Sequence, residues 1–168
     1  PHAKPNLFAA LALSRSSTSS AFDPYLVSMS EPKMHPVVAQ MMEHDALSKH
    51  LGMEVIESRP GHCACQMTVQ AFMVNGFGIA HGAITYALAD STLAFAVNAM
   101  GRHAVSTTST IQHLHPVRVG DVLTATSQLK SDGHKVVHVD VEVHNQDGTL
   151  VACLTATGYK KSTAWDLG

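Results

Sequence analysis

Between His81 and Asp90 the chain sets a glycine and a carboxylate on what reads as a single helix. The run His81–Gly82–Ala83–Ile84–Thr85–Tyr86–Ala87–Leu88–Ala89–Asp90 stays mostly apolar and continues so toward Asn98. A helix start leaves backbone N–H groups without partners and carries a partial positive charge. Those features suit an oxyanion. Asp90 is the one acid in segment 81–99, and a lone carboxylate on an apolar helix resists burial unless it has a partner or a task. The pairing points to acyl transfer at a carbonyl, with Gly82 supplying an oxyanion donor and Asp90 a base.

Gly82 and Asp90 are eight residues apart, which is about 12 Å along one helix axis. The Asp side chain leans toward the helix start and recovers only about 2–3 Å. A reacting carbonyl needs donors at about 3 Å and a base within about one water. One helix cannot bring both groups to the same carbonyl. The arithmetic is that of a symmetric dimer in which each site takes Gly82 from one copy and Asp90 from the other.

The elements that position these groups follow from periodicity and turn residues. Val37, Val38, Met41, Met42 and Leu47 recur at helical spacing over 36–50. Two strands are expected at 53–58 and 62–70 around Arg59–Pro60–Gly61, then a loop over 71–80. The long helix spans 81–99 and stops at Gly101. Four strands follow, at about 104–114, 121–131, 135–145 and 149–159. Asp132–Gly133 and Asp147–Gly148 mark hairpins. Val137, Val139, Val141 and Val143 alternate with His138, Asp140, Glu142 and His144, a half-buried antiparallel strand. The expected class is α+β, with one long helix against a curled antiparallel sheet.

Composition bounds the function. The chain has 168 residues, 45% hydrophobic, with a net charge of −2. That suffices for one domain and gives no nucleic-acid footprint. No apolar run reaches the ~20 residues of a membrane helix. Cys63, Cys65 and Cys153 have no zinc spacing and read as free thiols in a reducing, cytoplasmic setting. Residues 1–28, with a hydroxyl run from Ser14 to Ser20, read as an extension before a start near Met29 or Met34, with a targeting peptide as the alternative. The domain is assigned to 29–168.

Asn75–Gly76, Ala80–His81–Gly82, Leu88–Ala89–Asp90–Ser91 and Ala94–Phe95–Ala96–Val97–Asn98 resemble the hotdog-fold acyl-CoA thioesterases. The group they resemble most is the phenylacetic-acid-degradation (PaaI-type) thioesterases. His115–Pro116–Val117–Arg118–Val119–Gly120–Asp121 resembles a strand exit shared with hotdog dehydratases. The resemblance spans about 36–160. It implies a long central helix wrapped by a curved sheet, and a homodimer with a continuous sheet, assembled as a dimer of dimers. It implies hydrolysis of an aryl-acetyl-CoA or medium-chain acyl-CoA without a cofactor, coenzyme A being part of the substrate. By this resemblance Gly82 polarises the carbonyl, Asp90 of the other copy is base or nucleophile, Asn75 positions water or thioester, and Ser106 touches water or substrate. It also implies that Arg118, with His113 and His115 on the strand exit, and Lys130, Gly133, His134 and Lys135 at the hairpin, line the nucleotide. One departure is Ala83, where the family usually has a second glycine.

Competing readings accompany each residue. Asp90 could pair with Arg102. His81 reads as a hydrogen-bonding residue at the helix start ahead of a proton shuttle. Asn75 could be a turn residue only, and Ser106 a solvent-facing filler. His138 to His144 share a strand face, but their ends lie about 20 Å apart, so no metal site is assigned. A hydratase would need a His where Phe95 stands. A non-catalytic acyl-CoA-binding domain would leave Asp90 without a purpose.

Overall fold

The computed structural model describes residues 34–168, so the expectations for 1–28 lie outside the described residues. The expected helix over 36–50 is two helices, α1 (Pro36–His44) and α2 (Ala46–His50). The break is at Asp45, whose carboxylate leaves the helical conformation to accept from the Ser48 N–H and hydroxyl, as a capping residue does. Strands β1 (Glu54–Arg59) and β2 (His62–Thr68) form the expected hairpin. A short 3-10 turn (Ala71–Met73) enters the loop. Helix α3 then runs Gly82–Asn98.

Four strands follow: β3 (Arg102–His113), β4 (Val122–Asp132), β5 (Val136–His144) and β6 (Leu150–Ala164). They join β1 and β2 in one antiparallel sheet of order β1-β2-β4-β5-β6-β3. The sheet's inner face carries Cys63, Cys65, Met67, Leu123 and the four alternating valines of β5, and it closes around α3. Leu88, Leu93 and Phe95 of α3 are fully buried there. This is the helix-in-sheet arrangement that the hotdog resemblance implies. Cys63 and Cys65 lie side by side on the inner face, Sγ to Sγ 3.6 Å, both as free thiols.

Two features bear on the site. Helix α3 keeps one open stripe, with Ala83 and Tyr86 exposed and Ala87, Asp90 and Ala94 half-buried along it. The two sheet edges also differ. β1 is short, bulged between Val55 and Glu57, and charged. β3 is twelve residues long and rich in Ser and Thr, and its outer side has no strand partner among the described residues.

Candidate active site

Helix α3 starts on a cap built by His81, whose Nδ1 accepts the Ala83 N–H at 3.0 Å. The Ile84 N–H bonds the His81 carbonyl. Among the described residues the Gly82 N–H has no partner, so it is the free donor at the positive end of the helix. His81 therefore takes the hydrogen-bonding role expected for it. Ala83 N–H is committed to that cap, which explains how a methyl is accommodated where a second glycine was expected.

Gly82 opens onto a cleft of about 340 Å³ lined by Asn75, Gly82, Thr85, His113, His115 and Val117. Asn75 is placed by its turn: Oδ1 accepts the Phe77 N–H at 2.9 Å, and its backbone exchanges bonds with Ile79 and Gly78. It is thus a turn residue and a cleft residue at once. The Ala80 N–H bonds the Val117 carbonyl at 2.8 Å, which pins the strand exit beside the helix start. Four predicted residues, Asn75, Gly82, His113 and His115, converge here.

His113 is held by Thr85, a residue that sequence reasoning did not select. Thr85 Oγ1 donates to the Gly82 carbonyl at 3.0 Å and also lies 3.1 Å from His113 Nδ1. A hydroxyl has one proton, so Thr85 accepts from an Nδ1–H, and Nε2 is left free of a partner among the described residues. Nε2 faces Gly82: a β-carbon built there would stand 3.0 Å from it. The one signal in the sequence was a threonine in the first turn, three residues past the glycine.

Asp90 lies two turns farther along α3. It is half-buried, and burial raises its carboxyl above the ordinary value of 3.8, opposed by a hydrogen bond from Ser106. Ser106 Oγ donates to Asp90 Oδ1 at 3.4 Å. Arg102, the alternative partner, instead donates to the Lys161 and His134 carbonyls. Among the described residues the Asp90 carboxylate thus has a serine and no cation bonded to it, the condition of a base. Within one chain the site is two separate halves: Gly82, Asn75 and His113 in one, Asp90 and Ser106 in the other.

The residues expected around the nucleotide divide. Arg118 is exposed next to the cleft-lining Val117, its N–H bonded to Asp121. Lys130 turns to the outer face of the sheet, where it pairs with Asp140 at 3.2 Å and bonds Gln128. That face carries a separate depression of about 620 Å³ with His62 and Glu142. Lys135 stands 5.6 Å over the Tyr159 ring, and the Gly133 N–H closes the hairpin turn onto Val136. Asp132 pairs with the buried Lys160. His138 bonds Thr157, and His144 lies 3.8 Å from Glu142. Phe95, where a hydratase would need His, is core.

Residues 77–152 match the thioesterase superfamily. The chain is 38% identical over 120 residues to the acyl-coenzyme A thioesterase PaaI of Escherichia coli, covering 71% of this chain and 86% of that protein. This chain belongs to the thioesterase superfamily. It is a hydrolase of thioesters. The E. coli PaaI structure superposes with a TM-score of 0.76 at 34% identity, over 79% of this chain and 99% of that one. The human acyl-coenzyme A thioesterase 13 is 26% identical over 123 residues, 71% of this chain and 88% of that protein. A hypothetical thioesterase protein from Streptococcus pneumoniae, solved with coenzyme A, gives a TM-score of 0.70 at 27% identity over 75% and 98% of the two chains.

Proposed function

We propose that the protein hydrolyses acyl-CoA thioesters, of aryl-acetyl or medium-chain acyl groups, to the free acid and CoA. One observation carries the reading. The free Gly82 N–H and the half-buried Asp90 carboxylate lie on one helix about 12 Å apart, beside a long sheet edge left bare. Two copies joined antiparallel along β3 would bring Ser106 of one near His113 of the other if the two-fold axis passed between Ser109 and Thr110. That register sets Asp90 of one copy opposite Gly82 of its partner.

In such a site the thioester oxygen accepts the Gly82 N–H, a donor worth about 10²–10³-fold when removed from comparable sites. Asp90 removes a proton from water, or attacks to form a mixed anhydride, and Ser106 holds the carboxylate. Asn75 and the bare Nε2 of His113 position water or thioester. Arg118, exposed beside the cleft-lining Val117, is the residue this reading assigns to the phosphates. The pairing of two dimers, and a cytoplasmic location that suits three free thiols, belong to the same reading. Among the described residues no helix is long and apolar enough to cross a membrane. Coenzyme A in the S. pneumoniae structure supports the substrate class. Thiol release across a panel of acyl-CoAs tests it: turnover that Asp90→Asn abolishes supports the reading, and no release from any ester refutes it.

A further inference from the structure

The His113 ring is fixed at one nitrogen and free at the other. Nδ1 lies 3.1 Å from Thr85 Oγ1, whose own proton goes to the Gly82 carbonyl. Thr85 is buried in the first turn of α3, so the helix itself anchors this hydroxyl. Nδ1 therefore carries a proton, and in the neutral ring Nε2 is an acceptor. The ring meets Gly82 by that corner. Measured to a β-carbon built on the glycine, Nε2 is nearest at 3.0 Å, with Cε1 at 3.3 Å and Cδ2 at 3.6 Å. A residue's nitrogen and β-carbon share one α-carbon and lie about 2.5 Å apart, which puts Nε2 within about 5.5 Å of the Gly82 nitrogen.

The Gly82 N–H and Nε2 thus offer a donor and an acceptor side by side, neither with a partner among the described residues. A thioester has nothing to give that acceptor. Its reacting carbon is flanked by oxygen and sulfur, and neither bears hydrogen. The tetrahedral adduct that water forms does have a proton to give. It carries an oxyanion and a hydroxyl on one carbon, about 2.3 Å apart, and two hydrogen bonds of about 2.9 Å connect that pair to groups at this separation.

We propose that His113 is a catalytic residue that binds the attacking water and then the hydroxyl of the adduct, and that Thr85 positions it. The inference rests on the thioesterase reading above and takes the first of the two routes given there to Asp90. Water passes one proton to Asp90 of the other copy and hydrogen-bonds through the second to Nε2, which leaves an oxygen lone pair for the carbonyl carbon. The C–O bond forms as the carbonyl electron pair moves to oxygen, where the Gly82 N–H meets it. The pair then returns, the C–S bond breaks with its electrons on sulfur, and the proton held by Asp90 goes to the thiolate. The hydroxyl stays bonded to Nε2 and no net proton passes to the ring. Because this acceptor serves the adduct and not the ester, its effect falls on kcat rather than on KM.

The test measures kcat and KM separately, by thiol release from the acyl-CoA that wild type turns over fastest. His113→Phe keeps a ring and removes Nε2. It should lower kcat about tenfold, the worth of one hydrogen bond, with KM within threefold of wild type. Thr85→Val keeps the shape and removes the hydroxyl that fixes the ring, and it should show the same signature. Thr85→Ser restores the hydroxyl and should recover most of the lost kcat. Thr85→Val added to His113→Phe should cost nothing further, because Thr85 acts through the imidazole. If circular dichroism shows Thr85→Val unfolded, His113→Phe decides, since its side chain is open to the cleft. A folded His113→Phe with kcat within threefold of wild type, or with a loss confined to KM, overturns the inference alone. A wild-type protein that releases thiol from no acyl-CoA brings down the thioesterase reading and this inference with it.

Discussion

His113 packs onto Gly82 so closely that residue 82 has no room for a side chain at ordinary distance: the β-carbon would meet Nε2 at 3.0 Å. The glycine does two things at the helix start, presenting a free N–H and leaving room for the imidazole. The two are separable. Gly82→Ala keeps the N–H and displaces His113, whereas Gly82→Pro removes the N–H. We expect Gly82→Ala to lower kcat/KM about tenfold and Gly82→Pro by at least about 10²-fold. Combined with His113→Ala, Gly82→Ala should cost almost nothing further, a coupling that a double-mutant cycle reads. Additive losses would mean that the contact is incidental.

Asp90→Asn should reduce turnover by about 10²-fold or more with the fold intact by circular dichroism. A variant within threefold of wild type would remove Asp90 from the mechanism.

The same carboxyl gives two pH predictions of definite sign. Burial raises Asp90 above 3.8, so the folded protein holds its proton at pH values where the unfolded chain has lost it. The contribution to stability is complete below about 3.8 and is lost as pH rises through the folded value. At pH 7 Asp90 is therefore a liability, and Asp90→Asn should raise Tm more at pH 7 than at pH 3.5. Activity runs the other way, because the base must be ionised. The acidic limb of kcat against pH should lie above the usual carboxylate range, and a limb at or below 3.8 would contradict the burial.

Subunit mixing tests the shared site. Gly82→Pro and Asp90→Asn are each expected to be nearly inactive alone. A heterodimer of the two contains one site with both groups intact, so about half the activity of a wild-type dimer should return. Folding of the Pro variant is checked first. Proven heterodimers without activity would show that each site is built from a single chain.

At the nucleotide end, Arg118→Ala and Lys135→Ala should raise KM for CoA esters, with a penalty that shrinks as salt rises. Lys130→Ala should matter less, since its ammonium is held by Asp140 on the outer sheet face. An equal KM penalty for all three would mean that the Lys130 pairing opens to bind phosphate.

The sequence made the two halves of the candidate site legible because each depends on local pattern. The helix start at Gly82, the lone acid at Asp90 and the alternating valines of β5 are all readable within one element. The partner of Lys130 was not. Lys130 lies on the face of Gln128, as period-two alternation requires, but its pairing with Asp140 joins two strands and is visible only once β4 and β5 are in register. Asp45 hid in a continuous apolar pattern, although its capping of Ser48 divides the helix. Thr85–His113 and Asn98–Trp165 join residues 28 and 67 positions apart, and such pairs become visible only once the chain has folded.

The two sheet edges carry a consequence for the life of the chain before it works. β1 is guarded in the way that keeps strands from joining strangers, with a bulge and charges. β3 has neither proline nor lysine along its length; it has a run of five hydroxyls from Ser106 to Thr110 and, among the described residues, an outer ladder with no partner. An edge of that kind is safe only while occupied. If the proposed dimer forms along β3, newly made chains at low concentration would be exposed to misassembly until they meet a second copy. Specific activity should fall on dilution, so that the amount of protein present governs how well each molecule functions.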